Sequence, residues 1–194
     1  MTEHTAQALV IVDMQVDYFN DGELERCRDD LVAACNTLFE RATAAGAPVV
    51  EVRTEHRPDR STWALNMRED DSGMVIEGTP GVDPVPGLRT EGALRVVKTR
   101  DSAFFRTDLE DLLRSRGVES IALVGVSTES CIATTAADAY ARDLRVVLVD
   151  EAVASIDPGL NRRTQEQLEQ QYRQPTVRLD DVAFDAPGRA AVSA

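Results

Sequence analysis

The chain has 194 residues, 43% of them hydrophobic, which suits one domain with a full core. A net charge of −13 argues against nucleic acid and anionic membranes as partners, since both demand clustered Lys and Arg. Three cysteines without a CxxC pair give no disulfide framework, and two histidines are too few for a His-rich metal site.

The start, MTEHTAQ, lacks the basic and apolar segments of a signal peptide, so a cytoplasmic location is expected. ALVIVD (8–13) is a short apolar run ending in an acid and reads as a buried strand. From 24 to 45, Leu24, Cys27, Leu31, Ala34, Cys35, Leu38 and Ala42 recur at helical spacing, until Gly46 and Pro48 stop the helix. PVVEVRT (48–54) is a second strand. The stretch 55–92 is rich in Gly, Pro and charge and has no sustained period, which predicts a covering loop or flap with short local structure.

LRVVKT (94–99) is a third strand, and TDLEDLLRSRG (107–117) a helix capped by Thr107 and ended by Gly117. SIALVGV (120–126) makes a fourth strand, the segment from Thr128 to Asp143 a helix, and LRVVLVDE (144–151) a fifth strand. NRRTQEQLEQQYR (161–173) predicts a polar helix before a final strand near PTVRL (175–179). Short apolar strands alternating with helices predict one Rossmann-like α/β domain, three layers deep, with a mostly parallel sheet of five or six strands. No glycine-rich phosphate loop follows any strand, which argues against nucleotide binding.

Ligands of such sheets bind beyond the carboxyl ends of the strands. Asp13 ends the first strand, Lys98 ends the third, and Cys131 opens the helix after the fourth. An acid, a cation and a thiol at one sheet edge compose a nucleophilic site. A helix N-terminus and a nearby ammonium would favour the thiolate. Asp13 could take the thiol proton and return it to a leaving amine, with Lys98 holding both in register. Taken singly, a Cys in an apolar helix is more often core, as with Cys27 and Cys35. The predicted strand order is 2-1-3-4-5, which makes the three strands that carry these residues neighbours.

Three blocks, ALVIVDMQVDYF, VVKTRDSAFFRTDL and GVSTESCIATTAADAYARDLRVVLVDEAVAS, together resemble the isochorismatase-like cysteine hydrolases. The resemblance implies an Asp13–Lys98–Cys131 triad and an oxyanion hole from the backbone N–H groups of Ser127 and Cys131. It also implies a cis peptide between Val126 and Ser127. It further implies cleavage of a C–N bond in a small amide, carbamoyl or ureido compound through an acyl-enzyme, with release of ammonia. The nicotinamidase branch of the family binds a metal through Asp-x-His…His. Here the matching region, VRTEHRPDRSTW, offers only His56, so neither metal nor other cofactor is expected. Candidate substrate contacts are Gln15, Tyr18, Phe19, Arg53, Trp63 and Phe104, an arginine being suited to a substrate carboxylate. A homo-oligomer, dimer or tetramer, is expected by the same resemblance. The alternatives are vinyl-ether hydrolysis centred on Asp13 and a non-catalytic binding scaffold.

Overall fold

A computed structural model of the chain describes residues 4–20 and 22–188. In chain order the elements are β1 (His4–Ala6), β2 (Ala8–Val12), α1 (Gly22–Ala44), β3 (Val49–Thr54) and α2 (Leu65–Glu69). They continue with β4 (Leu94–Lys98), α3 (Leu109–Arg114), β5 (Ser120–Val126), α4 (Ala133–Tyr140) and β6 (Arg145–Ala154). The chain ends with α5 (Pro158–Tyr172), β7 (Thr176–Val177) and β8 (Val182–Phe184). Strands β2 to β7 form one parallel six-stranded sheet in the order β4-β3-β2-β5-β6-β7. The single α/β domain expected from the alternating pattern is therefore present.

Two apolar clusters coat the two faces of this sheet. On one face Leu9 and Ile11 meet the buried stripe of α1, from Leu24 through Leu31, Cys35 and Leu38 to Ala42. A two-stranded ribbon of β1 and β8, which the sequence pattern does not foretell, closes the same face with Ala6, Val182 and Phe184. On the other face Val10, Val12, Val50 and Val52 pack against Leu109 and Leu113 of α3, Ala136 and Ala139 of α4 and Leu168 of α5. Neighbouring residues of β2 thus point to opposite clusters, and the strand reads as an unbroken apolar run because both of its faces are covered.

The strand order differs from the expected one. β4 pairs with β3 and lies at the sheet edge, so β3 runs between the strands that end in Asp13 and Lys98. The chain leaves β3 into the 55–92 excursion and returns on the outer side of that strand. The order reverses between β2 and β5, which makes the crevice beyond those two strands the place for a ligand.

Other boundaries moved for local reasons. Asp108, not Thr107, takes the N-cap position of α3, which starts at Leu109; the Thr107 hydroxyl still accepts the Leu109 N–H at 3.4 Å while donating to the Ala103 carbonyl. α5 begins earlier than its apolar pattern, because Asp157 accepts the Leu160 N–H at 2.6 Å and Pro158 takes the first turn. The 55–92 stretch carries α2 and a short 3-10 turn at Pro80–Val82. It is pinned by the Asp17 carboxylate, which accepts the Val75 N–H at 2.6 Å.

Candidate active site

The strand ends are shaped to bring side chains inward. Asp13 follows β2 with φ 53°, a left-handed conformation that Asp tolerates far better than a β-branched residue, and the chain turns off the sheet there. On β5, Gly125 has φ 114° and lies so close to Val12 that a Cβ would overlap the Val12 carbonyl oxygen. Only glycine allows this approach of β5 to β2. The next peptide, between Val126 and Ser127, is cis. The helix expected from Thr128 onward opens with a π-helical turn, Thr128–Ile132, before α4. In that turn the Ser127 carbonyl accepts from Ser130 N at 3.1 Å and Ile132 N at 3.2 Å, passing over the Cys131 N–H between them. The Ser127 N–H itself donates to no backbone carbonyl among the described residues.

Asp13, Lys98 and Cys131 meet in this crevice, with side chains or whole residues exposed by only 0%, 1% and 5%. Lys98 Nζ lies 2.7 Å from Asp13 Oδ2 and donates to Cys131 Sγ at 3.3 Å. It also donates to Thr54 Oγ1 at 2.7 Å and to the Arg100 carbonyl at 3.1 Å. Burial works against the ammonium charge, but Asp13 and Cys131 more than offset it and raise the lysine pKa. Lys98 is therefore a fixed cation.

The thiol departs from expectation. Burial first, and the Asp13 carboxylate second, push the Cys131 pKa up, and the attraction of Lys98 is too small to reverse this. These surroundings favour the protonated thiol over a preformed thiolate. Cys35, surrounded only by core, is pushed by burial alone to about 12.

Of the six nominated substrate contacts, only Tyr18 stands at the triad. Burial and then the Asp13 carboxylate lift its phenol well above the ordinary range. The other five have different tasks. Gln15 spends its amide on backbone, donating to the carbonyls of Thr54 and Val82 at 2.9 and 3.0 Å and accepting the Thr54 N–H at 2.8 Å. Phe19 belongs to the core beneath α1. Arg53 is buried in a two-pronged ion pair with Glu51, at 2.8 and 3.0 Å, so it is not free for a substrate carboxylate. Trp63 donates to the Arg57 carbonyl at 3.2 Å and is covered by Arg60. Phe104 packs in the core of the α3–α4 face under the Arg142 guanidinium.

His56 is buried, with Nδ1 3.0 Å from the Thr62 carbonyl oxygen. Burial, aided by the charges of Arg100 and Lys98, holds its pKa below the ordinary range despite that contact. A neutral imidazole then donates Nδ1–H to Thr62. Among the described residues no three His, Cys, Asp or Glu side chains gather as a metal-holding group, so the residues do not fit the Asp-x-His…His set. Thr54 is the site residue that motif reading passed over, because a Thr at a strand end carries no signal of its own.

A model of the isochorismatase domain matches residues 7–178. The chain belongs to the isochorismatase family. Its relatives include streptothricin hydrolase of Streptomyces noursei, 34% identical over 165 residues that span 80% of this chain and 58% of that one. An Arabidopsis thaliana protein named "Probable inactive nicotinamidase" is also 34% identical, over 79% of this chain and 83% of its own length. Among solved structures, N-carbamoylsarcosine amidase from Thermoplasma acidophilum aligns with a TM-score of 0.77 at 27% identity, covering 93% of this chain and 98% of that one. The isochorismatase family thus places this chain among hydrolases whose relatives include amidohydrolases acting on C–N bonds. Among the described residues no helix is long and apolar enough to cross a membrane.

Proposed function

We propose that the chain is a cysteine amidohydrolase that cleaves a C–N bond in a small amide, carbamoyl or ureido compound. The observation that carries this reading is the shared ammonium: Lys98 Nζ touches both the Asp13 carboxylate, at 2.7 Å, and the Cys131 sulfur, at 3.3 Å. A neutral thiol next to a carboxylate calls for general-base attack. Asp13 takes the thiol proton as Sγ bonds to the substrate carbonyl carbon, and Lys98 stabilises the negative charge that collects between them.

The carbonyl oxygen becomes an oxyanion within reach of the N–H groups of Ser127 and Cys131, a stabilisation worth roughly 3–4 kcal/mol per donor. Asp13 returns its proton to the leaving nitrogen, the C–N bond breaks, and ammonia or an amine departs from a thioester. Water then attacks the thioester, losing its proton to Asp13, and the C–S bond breaks to release the acid and restore the thiol.

The test is a product screen over carbamoyl, ureido and amide compounds, including N-carbamoylsarcosine, nicotinamide and streptothricin, with wild type and Cys131→Ala. Turnover by wild type, none by the variant, and a mass increase of the substrate acyl group on Cys131 support the reading. Equal turnover by a folded Cys131→Ala protein would sink it. Turnover of a vinyl ether that survives thiol alkylation but not Asp13→Asn would move the chemistry to the acid alone.

A further inference from the structure

We propose that Thr54 is a positioning residue whose hydroxyl, aimed by Gln15, occupies one oxygen of Asp13 and so reserves the other as the proton acceptor. This deepens the function proposed above and rests on Asp13 being the base. It begins with the end of β3. Thr54 lies two residues beyond Val52, the last residue of β3 in register with β2, and at Asp13 the β2 chain has already turned away. The peptide groups of Thr54 would therefore lose their strand neighbour on that side. Gln15 replaces it: its carboxamide accepts the Thr54 N–H at 2.8 Å and donates to the Thr54 carbonyl at 2.9 Å. A side-chain amide thus continues the ladder where the strand has ended, and the Thr54 backbone is held on both of its polar groups.

Held this way, Thr54 points its hydroxyl between the two charges. Oγ1 lies 2.7 Å from Lys98 Nζ and 2.9 Å from Asp13 Oδ1. An ammonium can only donate, so Oγ1 accepts from Lys98 and its own proton is free for Asp13 Oδ1, the Tyr18 phenol being its other polar neighbour. Oδ1 is thereby engaged. Asp13 Oδ2 is buried and takes no hydroxyl or backbone donor; its polar contact is the Lys98 ammonium 2.7 Å away. That oxygen is the one left for a proton from the thiol.

Lys98 explains why the effect falls on Asp13. Its three N–H groups face four acceptors: Thr54 Oγ1, the Arg100 carbonyl, Cys131 Sγ and Asp13 Oδ2. Removing the hydroxyl leaves the ammonium three acceptors for three protons, Asp13 Oδ2 among them, whereas Asp13 Oδ1 loses the hydroxyl donor it had. The carboxylate then holds a proton more readily, and less of it is available as base at a given acidic pH.

The experiment is the pH dependence of Cys131 alkylation by limiting iodoacetamide, followed by peptide mass, which needs no substrate. It compares wild type with Thr54→Val, Thr54→Ser and Asp13→Asn, each checked for folding by near-UV circular dichroism. Thr54→Val should move the acid limb of labelling up by about one pH unit, with Thr54→Ser restoring the wild-type profile. If valine is not accommodated, Thr54→Ala removes the same hydroxyl. A wild-type profile in the hydroxyl-less variants, with labelling slowed in Asp13→Asn, would overturn the positioning role and leave the base intact. A shift in Thr54→Ser as large as in Thr54→Val would overturn it too, since the hydroxyl is retained there. Wild-type labelling in Asp13→Asn would remove the base itself, and this proposal with it.

Discussion

Lys98 and Asp13 touch at 2.7 Å although a whole strand, β3, runs between the strands that carry them. The lysine side chain spans that gap past Thr54, its register partner on β3. A shorter cation could not do so. The contact places a full positive charge in a deeply buried site, where its partners include the carboxylate and the sulfur.

Lys98→Met keeps much of the side-chain volume but leaves Asp13 buried without its counter-ion. Stability should fall by about 3–5 kcal/mol at neutral pH, as when one member of a buried pair is removed. Pairing it with Asp13→Asn should recover a large part of that loss, because the orphaned charge disappears. Urea unfolding of both single variants and the double variant measures the coupling; additive losses would show that the two groups do not interact.

Because burial raises the Cys131 pKa, its reactivity should not follow an ordinary thiol titration. Labelling of Cys131 should stay flat through about pH 8.5, where a free thiol gains reactivity steeply. Peptide-level alkylation rates from acid to mild alkali would reveal this. A tenfold rise centred near that pH would mean a conventional thiolate instead.

Stability should decline at alkaline pH, and the sign follows from three groups that agree. Cys35 and Cys131 have raised pKa values when folded, so above about pH 8.5 the unfolded chain releases thiol protons that the folded chain still holds. Lys98 is raised as well, so its contribution is present below about pH 10.4 and is lost as pH climbs through its folded value. For Cys35, raised to about 12, the loss should run on to roughly that pH. Cys35→Ala should remove one proton from the slope, about 1.4 kcal/mol per pH unit. Chemical unfolding at several pH values between these limits measures it, and an unchanged slope would show that Cys35 does not titrate on unfolding.

Gly125→Ala sets a Cβ against the Val12 carbonyl at a φ of 114°. The cost should be about 3 kcal/mol or more, from displaced backbone between β2 and β5. Because Asp13 and Cys131 follow those two strands, activity should fall further than stability predicts. Thermal melts alongside turnover would separate the two effects.

Much of the fold was legible in the residues. Apolar stretches marked the inner strands β2, β5 and β6 most plainly, since strands buried on both faces need no alternation to be recognised. The α1 stripe was equally plain, from Leu24 to Ala42. The ribbon of β1 and β8 was not, because two three-residue strands far apart in the chain leave no periodic trace. Strand order was misjudged for a similar reason: nothing in LRVVKT says which side of β3 it will pair with.

The sequence by itself singled out the groups proposed to do the chemistry. Asp13, Lys98 and Cys131 are set at strand ends and a helix start by local pattern, and a parallel sheet collects such positions along one edge. Only the tertiary structure decided how they stand to one another. It buried the site, which raises the pKa of the Cys131 thiol, and it set the Lys98 ammonium against both Asp13 and Cys131. It also drew Gln15 and Arg53 away from the substrate role, the first into backbone hydrogen bonds and the second into a buried ion pair. Burial and hydrogen-bond direction depend on residues distant in the chain, so the protonation state of a site is a property of the packed molecule.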